Sequence, residues 1–140
     1  MPCMEFAQPA ITVADTRGDI QPEAKYALLQ CFAFTPDFPQ LIHLHTPEFS
    51  AVCPGTGLPD IGTLDVYYEP AGLAVELKSF KYYLFAYRDA AIFQEPVTDL
   101  IFGHLWRALA PAYLQVIMRY NVRGGFTTTV TVEKGQRTAG

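Results

Sequence analysis

The order of hydrophobic patterns along the chain predicts an α+β fold. Gln40–Thr46 and Thr63–Glu69 alternate in the period-two manner of strands. From about Glu76 to Arg88, and again from about Glu95 to Ala110, apolar residues recur at helical spacing. Leu114–Val122 and Phe126–Val132 are β-rich and are joined by Arg123-Gly124-Gly125, a hairpin connection by length and glycine content. The resulting order is strand, strand, helix, helix, strand, strand.

Each element has a local reason. Residues 1–24 contain Pro, Asp and Gly without periodicity and read as a loosely held arm. Residues 25–140 are read as one domain, as expected of a chain of 140 residues. Tyr26–Phe34 is apolar and is stopped by Thr35-Pro36-Asp37-Phe38-Pro39. The first strand sets Leu41, His43 and His45 on one side and Ile42 and Leu44 on the other. Cys53-Pro54-Gly55-Thr56-Gly57-Leu58-Pro59-Asp60 follows. Its two prolines and two glycines make it a stiff loop, neither helix nor strand. The second strand places Leu64, Val66 and Tyr68 on one face, and Pro70-Ala71-Gly72 turns the chain. The first helix aligns Leu77, Phe80, Leu84 and Tyr87, with Glu76 at the positive end of its dipole. The second aligns Val97, Ile101, Leu105 and Leu109 and ends at Pro111.

Composition narrows the function. Half the residues are hydrophobic and 14% aromatic, against 17% charged, so some apolar surface is expected between subunits of a homo-oligomer. The longest apolar run, Tyr82–Tyr87, is far too short for a membrane span, and Met1–Gln8 lacks the basic region of a secretory signal. Cys3, Cys31 and Cys53 are an odd number without paired spacing, which points to reduced thiols in the cytoplasm. A net charge of −4 and no basic block longer than two residues argue against stable nucleic-acid binding. Lys78, Lys81, Arg88, Arg119 and Arg123 still suffice for the phosphates of a small molecule.

The chemistry-bearing residues cluster in three places. Cys53 lies before Pro54 between a strand end and a glycine-rich turn, a setting open to either a buried thiol or a nucleophile. Asp60 is either a turn former or a proton shuttle beside that thiol. Lys78 and Lys81 stack three apart on one helix side, either as a solvated face or as a phosphate site. Glu95 opens the second helix, where a carboxylate suits the dipole and also suits two adjacent N–H donors of a purine-like edge. His43 and His45 share a strand face, but no third metal ligand is evident, and His104 is expected on a helix surface.

These residues, taken together, resemble the NADPH-dependent 7-cyano-7-deazaguanine reductases, the nitrile reductases of queuosine biosynthesis, in their short single-module form. The resemblance runs from about Pro47 to Val132. It rests on Phe49-Ser50-Ala51-Val52-Cys53-Pro54, Thr56-Gly57, Pro59-Asp60, Glu76-Leu77-Lys78-Ser79-Phe80-Lys81-Tyr82-Tyr83, Ile92-Phe93-Gln94-Glu95 and Val122-Arg123-Gly124-Gly125. It implies a tunnelling fold: a four-stranded antiparallel sheet with two helices inserted after the second strand, associating into barrels with interfacial active sites. It also implies that Cys53 attacks the nitrile carbon of 7-cyano-7-deazaguanine to form a thioimide and that Asp60 protonates the nitrogen. Glu95 would anchor the heterocycle, with Val75, Glu76, Leu77 and Gln94 as further substrate contacts. Lys78, Ser79, Lys81 and Arg123 would serve NADPH, and no metal is needed. Leu58 and Gln94 depart from the family, in which many members have Gln and His there. Related amidinotransferases keep the Cys and Asp but lack the Glu-x-Lys-x-x-Lys motif. A zinc-dependent relative using His43 and His45, or a non-catalytic oligomer binding a purine or pterin, are the other readings.

Overall fold

Residues 20–139 are described by the computed structural model. Strands β2 (Ile42–Val52) and β3 (Pro59–Glu69) form the first hairpin, and β5 (Tyr113–Arg123) and β6 (Phe126–Gly135) form the second. They join antiparallel into one sheet of order β2-β3-β5-β6. Helices α2 (Leu77–Phe85) and α3 (Gln94–Leu109) are inserted between the hairpins and cover one face of the sheet. This is the four-stranded sheet with two inserted helices expected from the sequence.

The differences from expectation have physical causes. The Tyr26–Phe34 segment divides, because α1 (Pro22–Tyr26) precedes it and only Cys31–Phe34 (β1) is extended. β1 pairs with β4 (Gly72–Val75) in a separate two-stranded sheet, a long-range pairing without a local signal. Residues 1–19 of the expected arm lie outside the described residues, whereas Ile20 is buried in the core. The stiff loop is shorter than its composition implied. Pro59 and Asp60 already belong to β3, paired with Val52 and Ala51, since a proline can open a strand without a lost ladder bond.

One irregularity in β2 positions the site. The register with β3 shifts between Thr46 and Phe49, so two residues, Pro47 and Glu48, stand against Thr63. Before this bulge the even residues Ile42 and Leu44 pack toward the helices; after it the odd residues Phe49 and Ala51 do. The change of parity leaves His43 and His45 on the open face and turns the end of β2 toward α3. On β3 and β5 the even residues Leu64, Val66, Tyr68, Leu114, Val116 and Met118 meet Ile101, Leu105 and Leu109 of α3 without any break.

Two side chains expected at surfaces or in stripes behave otherwise. Leu77 is 61% exposed, and the buried stripe of α2 is Phe80, Tyr83 and Leu84. His104, expected on a helix surface, is only 6% exposed because Tyr26 and Tyr83 close over it. Its Nδ1 lies 2.7 Å from the Tyr83 hydroxyl, which lies 2.8 Å from that of Tyr87.

Candidate active site

The six residues Cys53–Leu58 link β2 to β3 in a closed turn. The Cys53 N–H donates to Leu58 O at 2.9 Å, and the Gly57 N–H returns to Cys53 O at 2.8 Å. Gly57 has φ +71°, a conformation that a side chain would strain. Just before the turn, Val52 is tied to the segment ahead of α3 by Val52 N–H to Ala90 O at 2.9 Å and Ile92 N–H to Val52 O at 3.1 Å. These bonds hold the thiol loop against the N-terminus of α3, which carries Glu95.

Cys53, Asp60, Gln94, Glu95 and Arg123 therefore line one cleft of about 220 Å³, joined by Tyr120, Asn121 and Thr128 of the second hairpin. Burial pushes the Cys53 thiol up, but the Thr56 hydroxyl and the amides of Thr56 and Gly55 outweigh it. The thiol is held below its ordinary value even against the nearby Asp60. Asp60 is 8% exposed, and its Oδ1 lies 2.5 Å from an Arg123 guanidinium nitrogen. A second Arg123 nitrogen donates to Pro59 O at 2.6 Å, so the arginine grips the start of β3 at two points. Gln94 Nε2 donates to Thr128 O at 2.9 Å, anchoring the first turn of α3 to β6 beside Glu95.

The other expected site residues lie elsewhere on the chain. Glu76 caps α2, its carboxylate accepting from the Lys78 N–H at 2.9 Å and the Ser79 N–H at 2.7 Å. These two bonds hold its carboxyl below the usual range. Val75 is buried, its N–H donating to the Tyr68 hydroxyl at 3.2 Å. Lys78 and Lys81 are exposed on α2, with Lys81 Nζ lying 5.8 Å from the Phe85 ring centroid. Ser79 is buried, and its hydroxyl accepts from the Gln30 N–H at 2.9 Å and donates to Glu76 O at 2.7 Å. A side chain already engaged on both sides locks β1 to α2. Arg123, grouped with the lysines from the sequence, stands with Asp60 instead.

Sequence reasoning missed three contributors. Thr56, present in the sequence reading only as part of a matching motif and given no role there, acts on the thiol through its hydroxyl. Tyr120 and Thr128 enter the cleft through cross-strand pairing, Tyr120 with both Gly62 and Thr128. A third donor for the histidine pair also appears. Asp65 Oδ1 lies 2.6 Å from His43 Nε2 and 2.8 Å from His45 Nδ1, while its Oδ2 accepts from Arg119 at 3.2 Å. The three ligand atoms lie within 4.8 Å of one another on the open sheet face, and the carboxylate is already shared with Arg119.

Known proteins resemble this chain in sequence and in fold. The family model described as QueF-like protein matches residues 59–139. The chain is 46% identical over 105 residues to a protein of Anaeromyxobacter sp. (strain Fw109-5), covering 75% of this chain and 86% of that one. It is 45% identical over 108 residues to one of Chlorobium phaeovibrioides (strain DSM 265 / 1930), covering 76% and 93%. Both are named NADPH-dependent 7-cyano-7-deazaguanine reductase. Among solved structures, the archaeosine synthase QueF-Like in the apo form is similar with a TM-score of 0.64 and 28% identity, over 71% of this chain and 98% of that one.

Proposed function

The chain belongs to the QueF-like protein family, and from that membership we propose that it reduces the nitrile of 7-cyano-7-deazaguanine to 7-aminomethyl-7-deazaguanine, using NADPH, in the cytoplasmic route to queuosine in tRNA. The observation that carries this reading is the Cys53 thiol, held below its ordinary value in a cleft shared with Asp60 and Glu95.

The residues divide the work. A nitrile is a poor hydride acceptor. Addition of the Cys53 thiolate to its carbon forms a C–S bond and leaves an imine-like carbon, so one hard step becomes easier ones. Asp60 receives the thiol proton and delivers it to the nitrile nitrogen, with Arg123 fixing the carboxylate at 2.5 Å. Glu95 accepts from the N1–H and 2-amino group of the heterocycle, and Gln94 holds the helix turn that presents it. NADPH, when bound, supplies the hydrides, two for the four-electron change. Lys78 and Lys81, exposed on one side of α2, fit its phosphates. After the first reduction the C–S bond breaks, which returns the Cys53 thiolate and leaves an imine for the second reduction to convert to the amine.

Glu76 and Leu77 do not reach the Cys53 cleft within one chain, so the site is read as completed by a second copy. Exposed apolar residues support this at both places: Leu58, Ile61, Val122 and Phe126 near the cleft, and Leu77, Tyr82 and Phe85 on α2. β2 and β6 are the edge strands of the sheet, and among the described residues only Val52, at the end of β2, is bridged from outside it, which leaves edges of the kind through which barrel-forming subunits pair.

The test is NADPH oxidised per nitrile consumed. Two per nitrile, abolished in Cys53→Ala, is expected. The likeness to an archaeosine synthase keeps a second reading, nonreductive chemistry on the same thioimide as in the related amidinotransferases. A Cys53-dependent mass adduct without NADPH oxidation would favour it. Neither signal would leave a heterocycle-binding oligomer.

A further inference from the structure

Tyr120 presents an unusual group to the cleft. Its hydroxyl oxygen is buried and has no hydrogen-bond partner, the one such side-chain atom found among the described residues. A buried hydroxyl left unpaired is costly, so its retention points to a partner that arrives from outside the chain. The ring has little freedom to seek one. It lies against the backbone of its cross-strand partner Gly62, where an added Cβ would come 2.4 Å from Tyr120 Cδ1. The ring also stacks on Phe49, at 21° with centroids 6.4 Å apart. Burial first, then the charges of Asp60 and Glu95, push its ionisation well above the ordinary value. The hydroxyl therefore remains a protonated donor at any working pH.

The position of that donor matches the substrate class of the proposed function, on which this inference rests. Around a 7-cyano-7-deazaguanine edge the groups run in order: 2-amino and N1–H, the ring carbonyl at C6, then the nitrile at C7. Glu95 serves the first end, and Cys53 with Asp60 serves the last. Tyr120 lines the cleft together with Cys53, Asp60 and Glu95. We propose that the Tyr120 hydroxyl, closed off in the unliganded chain, is uncovered as the heterocycle enters, donates to the C6 carbonyl oxygen and thereby selects 6-oxo heterocycles against 6-amino ones. A 6-amino compound would set donor against donor at this point, which a buried site rejects strongly. Gly62 is part of the device, because only a residue without a side chain admits the ring.

Tyr120→Phe keeps the ring packing and deletes only the hydroxyl. Turnover is measured for the oxo substrate and for its 6-thioxo analogue, which keeps N1–H but offers a weak acceptor. We expect kcat/KM of the variant to fall roughly 10- to 30-fold on the oxo substrate, mostly through KM, and to change less than about 3-fold on the thioxo analogue. The melting temperature should stay level or rise, since an unpaired buried group has been removed. Equal losses on both substrates, or no loss on either, would overturn the proposal. If the wild type turns over neither compound, the reductase reading fails by itself. Calorimetric affinities of wild type and Tyr120→Phe for the same two compounds then decide the Tyr120 assignment: loss of the oxo preference upholds it, and an unchanged preference overturns it.

Discussion

The acidity of the Cys53 thiol is set by its loop more than by any base. Thr56 and the amides around it outweigh burial and Asp60. Thr56→Val should therefore move the pH profile of Cys53 alkylation to higher pH. A rise of one unit would cut the thiolate present at pH 7 about tenfold. An unmoved profile would assign the effect to the backbone amides alone. Arg123 offers a second residue-scale test, because its partner is Asp60 rather than the α2 lysines. Arg123→Met should lower kcat about tenfold or more while leaving KM for NADPH unchanged. A raised KM for NADPH with intact kcat would return Arg123 to the cofactor.

Helix α3 joins the site to the core. Its N-terminal turn carries Gln94 and Glu95, and Val97, Ile101, Leu105 and Leu109 behind them are fully buried against the sheet. Leu105→Ala should cost about 2–5 kcal/mol in urea unfolding, the usual range for such a cavity. On the flank of α3, burial holds His104 below its ordinary value, with Glu23 opposing and Arg107 assisting. The folded state then binds the proton less readily than the unfolded chain. Stability contributed by neutral His104 is complete above the unfolded value near pH 6.5 and declines as pH falls from there toward the folded value. Denaturation at pH 8, 6.5 and 5 should show this decline in the wild type and a flatter trend in His104→Gln.

At the scale of the whole molecule, two buried carboxylates tie distant segments. Glu69 accepts from the Thr138 N–H and hydroxyl, both at 2.6 Å, and from the Ala139 N–H at 2.8 Å, fastening the C-terminal segment to β3. Asp65 fastens β2 to β5 through His43, His45 and Arg119. Burial raises both, but their hydrogen bonds outweigh it and hold both below the usual carboxylate range. Their contribution is present above about pH 4 and is lost as pH falls through the folded values. The assembly proposed above is tested at the same scale. Leu77→Asp should give a smaller particle in sedimentation velocity with the fold intact and turnover lost. A small particle that still turns over would refute a site shared between copies.

Helices α2 and α3, the four main strands and the Arg123-Gly124-Gly125 turn were legible in the sequence. Each follows from periodicity or from backbone chemistry within a few residues. The Cys53–Asp60 pair was legible for the same reason, since a stiff turn brings its own ends together. Other features depend on residues distant in sequence. Pairing across the sheet joined Asp65 to the histidines and Tyr120 to Gly62. The β1–β4 ladder and the burial of His104 needed segments that meet only after folding. Arg123 met Asp60 across 62 intervening positions, and neither residue carries a local signal of the other. Local hydrogen bonding and hydrophobic period are written in neighbouring residues, so the sequence by itself determined the main elements, their order and the Cys53 turn. Which polar group meets which depends on strand register and on the parity change at Pro47 and Glu48, and only the tertiary structure decided that.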